Sequence, residues 1–190
     1  MSKKIMFNDK FGLTQAVLDG RKTMTRRISE DQIRNSIFCK SGYESIHGYE
    51  IKPKYKVGEV VAIAQSYESV YNEKGLETMD MLVSGLKNHK GWQNKLFVAA
   101  GYMIHHIRIT DIKIERLQDI SDEDCMKEGI IHAYTNNNGI KIYHTPHTKR
   151  GYLSTDVAQE AFAFLINKVS GKGTWESNPY VFVYEFKLID

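Results

Sequence analysis

Residues 20–27 read Gly-Arg-Lys-Thr-Met-Thr-Arg-Arg: four basic side chains and two threonine hydroxyls follow one glycine, with no carboxylate among them. Lysine beside hydroxyls offers a cation, a latent base and nucleophiles in one short stretch, and Gly20 permits a sharp turn into it. Such a set either faces something anionic or carries out nucleophilic chemistry. The competing reading is a solvated strand edge, where lysine and arginine deter wrong pairing. In a regular strand Lys22 and Thr25 would point to opposite faces, so a shared pocket requires a turn or bulge between them. A base role for Lys22 also requires proton loss, yet from an ordinary pKa only roughly one lysine in 2,500 is neutral at pH 7. Burial would lower that pKa and a nearby carboxylate would raise it.

The elements that must position these residues can be read on either side. Leu13, Val17 and Leu18 form an apolar stripe at helical spacing and Gly20 follows where that helix would stop. Lys56–Glu59 reads as a turn feeding a buried-type strand, Val60 to Ala64, and Leu96 to Ala99 is a shorter strand candidate. Leu76 to Leu86 is a helix candidate interrupted near Gly85. Tyr102 to Leu117 is the longest extended stretch. Ile107 and Ile109 share one alternation phase and Ile112 and Ile114 the other, so the strand must change its buried face near Thr110-Asp111, through a bulge or bend.

Ser121-Asp122-Glu123-Asp124 has the pattern of a capping box, with Gly129 where a left-handed C-terminal cap belongs. Glu128 then lies in the last turn, the unfavourable end of the helix dipole for a carboxylate, and by default faces solvent. Asn138-Gly139 offers a tight turn between short extended pieces within residues 131–150. Ser154 or Thr155 can cap a helix through Ala161, Phe162, Leu165 and Val169 that ends at Gly171-Lys172-Gly173. A final strand spans Tyr180 to Leu188. Helices interspersed with bent strands point to an α+β domain built around a small mixed barrel.

Composition bounds the function. The chain has 190 residues, 42% hydrophobic and 26% charged, as expected of one globular domain over residues 1–190. A formal charge of +3 is too small for polycation behaviour, so any attraction to nucleic acid must come from clusters such as residues 20–27 or Lys141 to Arg150. Cys39 and Cys125 form neither a disulfide framework nor a zinc knuckle, which fits a reducing cytoplasm. The N-terminus turns polar too early for a signal peptide, and no apolar run approaches a membrane span. His144-Thr145-Pro146-His147 and His105-His106 are poor metal pairs: Pro146 disfavours the helix that would align the first two, and strand neighbours point apart. No metal or cofactor is expected.

Four segments together resemble the ASCH domain: residues 20–27, the Val57-Gly58-Glu59-Val60 turn-strand, Ile107 to Ile130 and Asn178 to Phe186. That family implies a PUA-like β-barrel and RNA binding, with residues 29–56, 68–94 and 131–150 as insertions. Within the superfamily, the Gly-Arg-Lys-Thr-x-Thr-x-Arg run is similar to that of bacterial N4-acetylcytidine amidohydrolases, in a chain of bacterial or phage type. The resemblance carries their catalytic lysine onto Lys22, their threonine onto Thr25 and their glutamate onto Glu128.

Two mechanisms are open on these residues. Either a desolvated Lys22 activates Thr25 as nucleophile while Glu128 handles the proton for the leaving amine, or a charged Lys22 stabilises the oxyanion while Glu128 activates water. A reader of RNA or of a modified pyrimidine nucleoside is the other functional class. There Arg21, Lys22, Thr23, Arg26 and Arg27 meet phosphates or substrate, Thr25 and Glu128 a base edge, and Tyr67 or Trp175 offer stacking surfaces. A protein-interaction module using the barrel rim is the third. A membrane partner is not expected.

Overall fold

The computed structural model describes residues 3–28, 36–39, 42–45, 52–74, 85–146 and 151–189. Its centre is a five-stranded mixed sheet in the order β1-β5-β6-β10-β2. These strands are Lys4–Ile5 (β1), Met24–Ile28 (β2), Val60–Ile63 (β5), His106–Arg116 (β6) and Tyr180–Leu188 (β10). Ser36–Cys39 (β3) and Gly42–Ser45 (β4) pair as a separate ribbon, and Ile131–Thr135 (β7), Lys141–His144 (β8) and Ser154–Thr155 (β9) form a three-stranded sheet. Among the described residues four helices accompany them: Leu13–Leu18 (α1), Tyr67–Lys74 (α2), Asp122–Lys127 (α3) and Ala158–Ser170 (α4). None of the described helices is long and apolar enough to cross a membrane.

The long strand changes face where its sequence requires. Glu185 of β10 pairs with Asp111 and Phe186 with Ile109, so Thr110 is the extra residue of a bulge in β6. Ile107 and Ile109 are buried on one side of it, while Ile112 and Ile114 pack against the core from the other phase. The bend wraps the sheet around a core that includes Met24, Val61, Ile63, Val181 and Val183, and α4 covers this core with Ala161, Phe162, Leu165 and Ile166 at helical spacing.

Among the described residues the sheet does not close, which corrects the expectation of a barrel. β1 and β2 are its two edges. They face one another across a gap that a side chain bridges: the Arg27 guanidinium on β2 donates to the Met6 carbonyl just beyond β1. This opening is where the principal cavity lies.

Several elements differ from expectation for local reasons. Leu96 to Ala99 is not a strand. The Asn94 side chain accepts from the Leu96 amide and starts a 3-10 turn over Lys95–Phe97, and Lys4 Nζ donates to the carbonyls of Lys95, Leu96 and Val98. The long strand begins at His106 rather than Tyr102, because Ala100–Tyr102 forms another such turn. Val157, not Ser154 or Thr155, is the N-cap of α4. The Thr155 hydroxyl instead accepts from the Val157 amide and donates to Glu160, holding the strand-to-helix corner. The Asn138-Gly139 hairpin forms as read, with Gly139 at φ +78 and the Asn136 carboxamide accepting from the Asn138 and Ile140 amides. The helix candidate at residues 76–86 lies almost wholly outside the described residues, as does much of the 29–56 segment.

Candidate functional site

Two local structures deliver the site. The first is the exit of α1. Gly20 adopts φ +71, and the Lys22 amide then donates to the Ala16 carbonyl at 2.8 Å, folding the chain back along the helix it has just left. The Thr23 amide donates to Lys127 at 3.0 Å, and its carbonyl accepts from Phe186 at 2.9 Å. Regular strand alternation starts only at Met24, so Lys22 and Thr25 escape the opposite-face rule and line one cavity.

The second is α3. Ser121 caps it by accepting from the Asp124 amide at 3.1 Å, as the capping box requires. The reciprocal half is absent, because Asp124 turns its carboxylate to Arg26 and Lys113. Gly129 follows at φ +106, and a Cβ there would meet Leu13 at 3.3 Å and the Lys22 stem at 3.8 Å. The glycine thus permits both the helix exit and the close approach of Lys22.

Glu128 is therefore not a solvent-facing glutamate. Lys22 Nζ donates to its Oε2 at 2.6 Å and to its backbone carbonyl at 2.8 Å, with both side chains almost fully buried (2% and 6% exposed). Arg26 Nη1 holds the other oxygen, Oε1, at 3.2 Å. The same guanidinium donates to Glu115 from Nε at 3.0 Å and to Asp124 from Nη2 at 3.0 Å. Arg26 is thus the hub of three carboxylates.

The electrostatics follow from this wiring. Burial lowers the Lys22 pKa from its ordinary value and outweighs the opposing pull of Glu128. Burial also acts against the charge of Arg26, but Glu128, Glu115 and Asp124 outweigh it and strengthen its hold on the proton. Asp124 is itself lowered, since Arg26 and Lys113 overcome the raising effect of burial. Nearby Cys125 is no nucleophile, for burial pushes its thiol up to about 12.

The cavity has a volume of about 740 Å³, within the range of small-molecule sites. Lys22, Thr25, Arg26, Arg27 and Glu128 share its wall, opposite Phe7 and the α4 residues Phe162 and Leu165. Thr25 is a buried residue of the lining, and its hydroxyl makes no hydrogen bond among the described residues. Of the three directions of Lys22 Nζ not taken by its bond to Cε, two go to Glu128. The one left holds either a lone pair or a third N–H, according to the proton.

The remaining predicted residues sit elsewhere. Arg21 is exposed and paired with Asp19 at 2.7 Å. Thr23 contributes backbone stitching rather than cavity wall. Tyr67 belongs to a separate cluster with Tyr102 and His89, and Trp175 packs edge-on behind Phe162 with centroids 6.1 Å apart. The aromatic walls are instead Phe7 and Phe162, which sequence reading missed. Nothing local distinguishes them from core residues. Glu115 and Asp124 were also missed as partners of Arg26, although three acidic residues in the first turn of α3 were visible.

A second cavity, about 530 Å³, adjoins the first and shares Asp9 and Lys95 with it. Its lining is mainly neutral and polar, including Thr14, Gln15, Gln65 and Ser69, with the His105 ring in hydrogen-bond contact with Glu73.

No family model matches the chain, and no curated protein matches it. Solved structures similar to it include an Enterococcus faecalis V583 protein of the DUF984 family, 13% identical, covering 100% of this chain and 82% of the other with a TM-score of 0.46. They also include an ASCH domain from Lactobacillus crispatus JV V101, 12% identical, covering 98% of this chain and 78% of the other with a TM-score of 0.42.

Proposed function

We propose that this chain is an ASCH-type, PUA-like protein whose cavity binds a modified pyrimidine nucleoside and hydrolyses the amide of an N4-acylcytidine. The observation that supports this most directly is the buried Lys22–Glu128 pair beside the unpartnered Thr25 hydroxyl on one cavity wall. The sequence motif fits the same reading, since the Lys22, Thr25 and Glu128 positions are those the resemblance marks.

The wiring favours Lys22 as base over Lys22 as permanent cation. Burial moves it toward the free amine, while both oxygens of Glu128 are already engaged by Lys22 and Arg26 rather than by a water. Neutral Lys22 donates its two N–H groups to the carbonyl and carboxylate of Glu128, which directs the lone pair away from them. Lys22 takes the Thr25 hydroxyl proton as Oγ1 attacks the acyl carbonyl carbon. The tetrahedral intermediate collapses with cleavage of the C–N bond, and the proton passes from Lys22, held by Glu128, to the departing amine. Water, deprotonated by the same lysine, then attacks the threonine ester; its C–O bond breaks, Lys22 returns the proton to Thr25 Oγ1, and the free acid leaves.

Three of the four basic residues in the segment are already committed to carboxylates: Arg21 to Asp19, Lys22 to Glu128, and Arg26 to Glu115, Asp124 and Glu128. That leaves little of the segment for phosphates, and so weighs for the nucleoside reading over an RNA-reading surface. Incubation with a panel of acylated cytidines and short RNAs, followed by mass spectrometry, tests the proposal. The expected products are cytidine and the free acid. Thr25→Ser is expected to retain turnover and Thr25→Val to lose it. Unchanged hydrolysis after Lys22→Ala overturns the reading.

A further inference from the structure

Arg27 is the exception in its segment. It lies on β2 and lines the cavity with Lys22 and Thr25, yet no carboxylate among the described residues pairs with it. One terminal nitrogen donates to the Met6 carbonyl. Nε is enclosed and has no acceptor among the described residues. The guanidinium lies 5.6 Å from the centre of the Phe7 ring, which holds its plane but supplies no hydrogen-bond acceptor.

The other charges of the cavity are accounted for. Lys22 meets Glu128, Lys95 meets Asp9 at 2.7 Å, and Arg26 meets its three carboxylates. Lys10 stands exposed on the lining, and no ion pair engages it among the described residues. Arg27 and Lys10 are therefore the two cations of the lining that no carboxylate pairs with among the described residues. A guanidinium held by one carbonyl and by no carboxylate among the described residues is a costly arrangement unless an anion meets its terminal nitrogens, whose planar fork matches carboxylate and phosphate oxygens.

We propose that Arg27 is an anion-binding residue and that the ligand of this cavity carries a phosphate or carboxylate group. Resting on the reading above, the substrate is then an anionic N4-acylcytidine: a nucleotide, or a nucleoside whose acyl chain ends in a carboxylate. Arg27 holds the charged end, Lys10 adds attraction at the rim, and the amide is left beside Lys22 and Thr25.

The test compares N4-acetylcytidine with its 5′-monophosphate and with N4-succinylcytidine on the wild-type protein. One of the two anionic compounds is expected to show a kcat/KM roughly ten- to a hundredfold above the neutral one, the weight of a charge-assisted hydrogen bond. Which of them does so identifies the source of the charge. In Arg27→Gln that ratio is expected to collapse toward one, and in Arg27→Lys to persist in part. Equal or poorer use of both anionic compounds by the wild type overturns the proposal, and needs no variant to fold.

Should no compound be hydrolysed, the preceding reading fails and this one is judged by binding alone. Calorimetry with inorganic phosphate, and with cytidine 5′-monophosphate against cytidine, is expected to show anion-dependent binding that Arg27→Gln removes. Absence of any anion preference there overturns the inference as well.

Discussion

The two adjoining cavities share a wall at Asp9 and Lys95 and are built on opposite principles. The first is bounded by charges pressed together out of water, with Lys22, Arg26 and Glu128 each almost fully buried. The second is bounded mainly by amides and hydroxyls, and its Gln65 serves structure: Oε1 accepts from the Ile104 amide at 3.0 Å while Nε2 donates to Glu73 at 3.0 Å. Buried ion pairs rarely repay their desolvation better than apolar packing would. Their concentration on one side of a shared wall therefore marks where chemistry, rather than stability, has set the residue types.

The sharpest way to break this contrast is at its hub. Arg26→Met leaves Glu128, Asp124 and Glu115 without their common cation, and removing one partner of such a buried network costs about 3–5 kcal/mol. Urea unfolding at neutral pH is expected to show that loss, together with loss of hydrolysis as Glu128 is displaced. A change below about 1 kcal/mol would mean that these charges are solvated and that the first cavity is no different in kind from the second.

The next effect is a pH dependence with a definite sign. The folded pKa of Lys22 lies below the ordinary 10.5, so the folded protein binds fewer protons than the unfolded chain between those two values. Stability associated with Lys22 is therefore lowest below the folded pKa and is recovered as pH rises toward 10.5. If the free amine is the base, kcat/KM rises about tenfold per pH unit below that pKa and levels off before the ordinary lysine range is reached. Asp124 gives the same slope in an acid window: its pKa is lowered, so the stability it contributes is full above the ordinary 3.8 and is lost as pH falls through the folded value. A kcat/KM that nowhere rises with pH below the ordinary 10.5, in the acid range as well as the neutral, would remove Lys22 as the base.

In the second cavity the expected outcome is reversed. Gln65→Ala strands the Ile104 amide and costs about 1–3 kcal/mol in chemical denaturation, while hydrolysis of an acylcytidine stays at the wild-type value. Loss of turnover without loss of stability would instead join the two cavities into one functional site.

How much of this was legible in the sequence depends on the range of the interaction. The bulge at Thr110, the stop at Gly20, the cap at Ser121 and the turn at Gly139 were readable because each is decided by residues a few positions apart. The convergence of Lys22 and Glu128, 106 positions apart, was reached only through resemblance to a motif. The commitment of Arg26 to Glu115 and Asp124 was not readable, since it depends on how β2 and β6 flank β10 and where α3 docks. The open edge between β1 and β2 escaped for the same reason. Strand patterning gives faces, but closure is set by the curl of the whole sheet and by what occupies the gap.

The smallest effect separates the position of Glu128 from its mere presence. Ser121 lies one short helix away and touches none of the cavity, yet its cap fixes the first turn of α3, and the last turn carries Glu128 to Lys22. Ser121→Ala is expected to cost about 1 kcal/mol, and Ser121→Asp, which can accept the same amide hydrogen bond, to recover most of it. Because α3 has only six residues, fraying at its start is transmitted to its end. The alanine variant should therefore lower kcat more than it raises KM, whereas the aspartate variant should restore both. A stability loss with unchanged kcat would show that the Arg26 and Lys22 contacts hold Glu128 in place without help from the helix that delivers it.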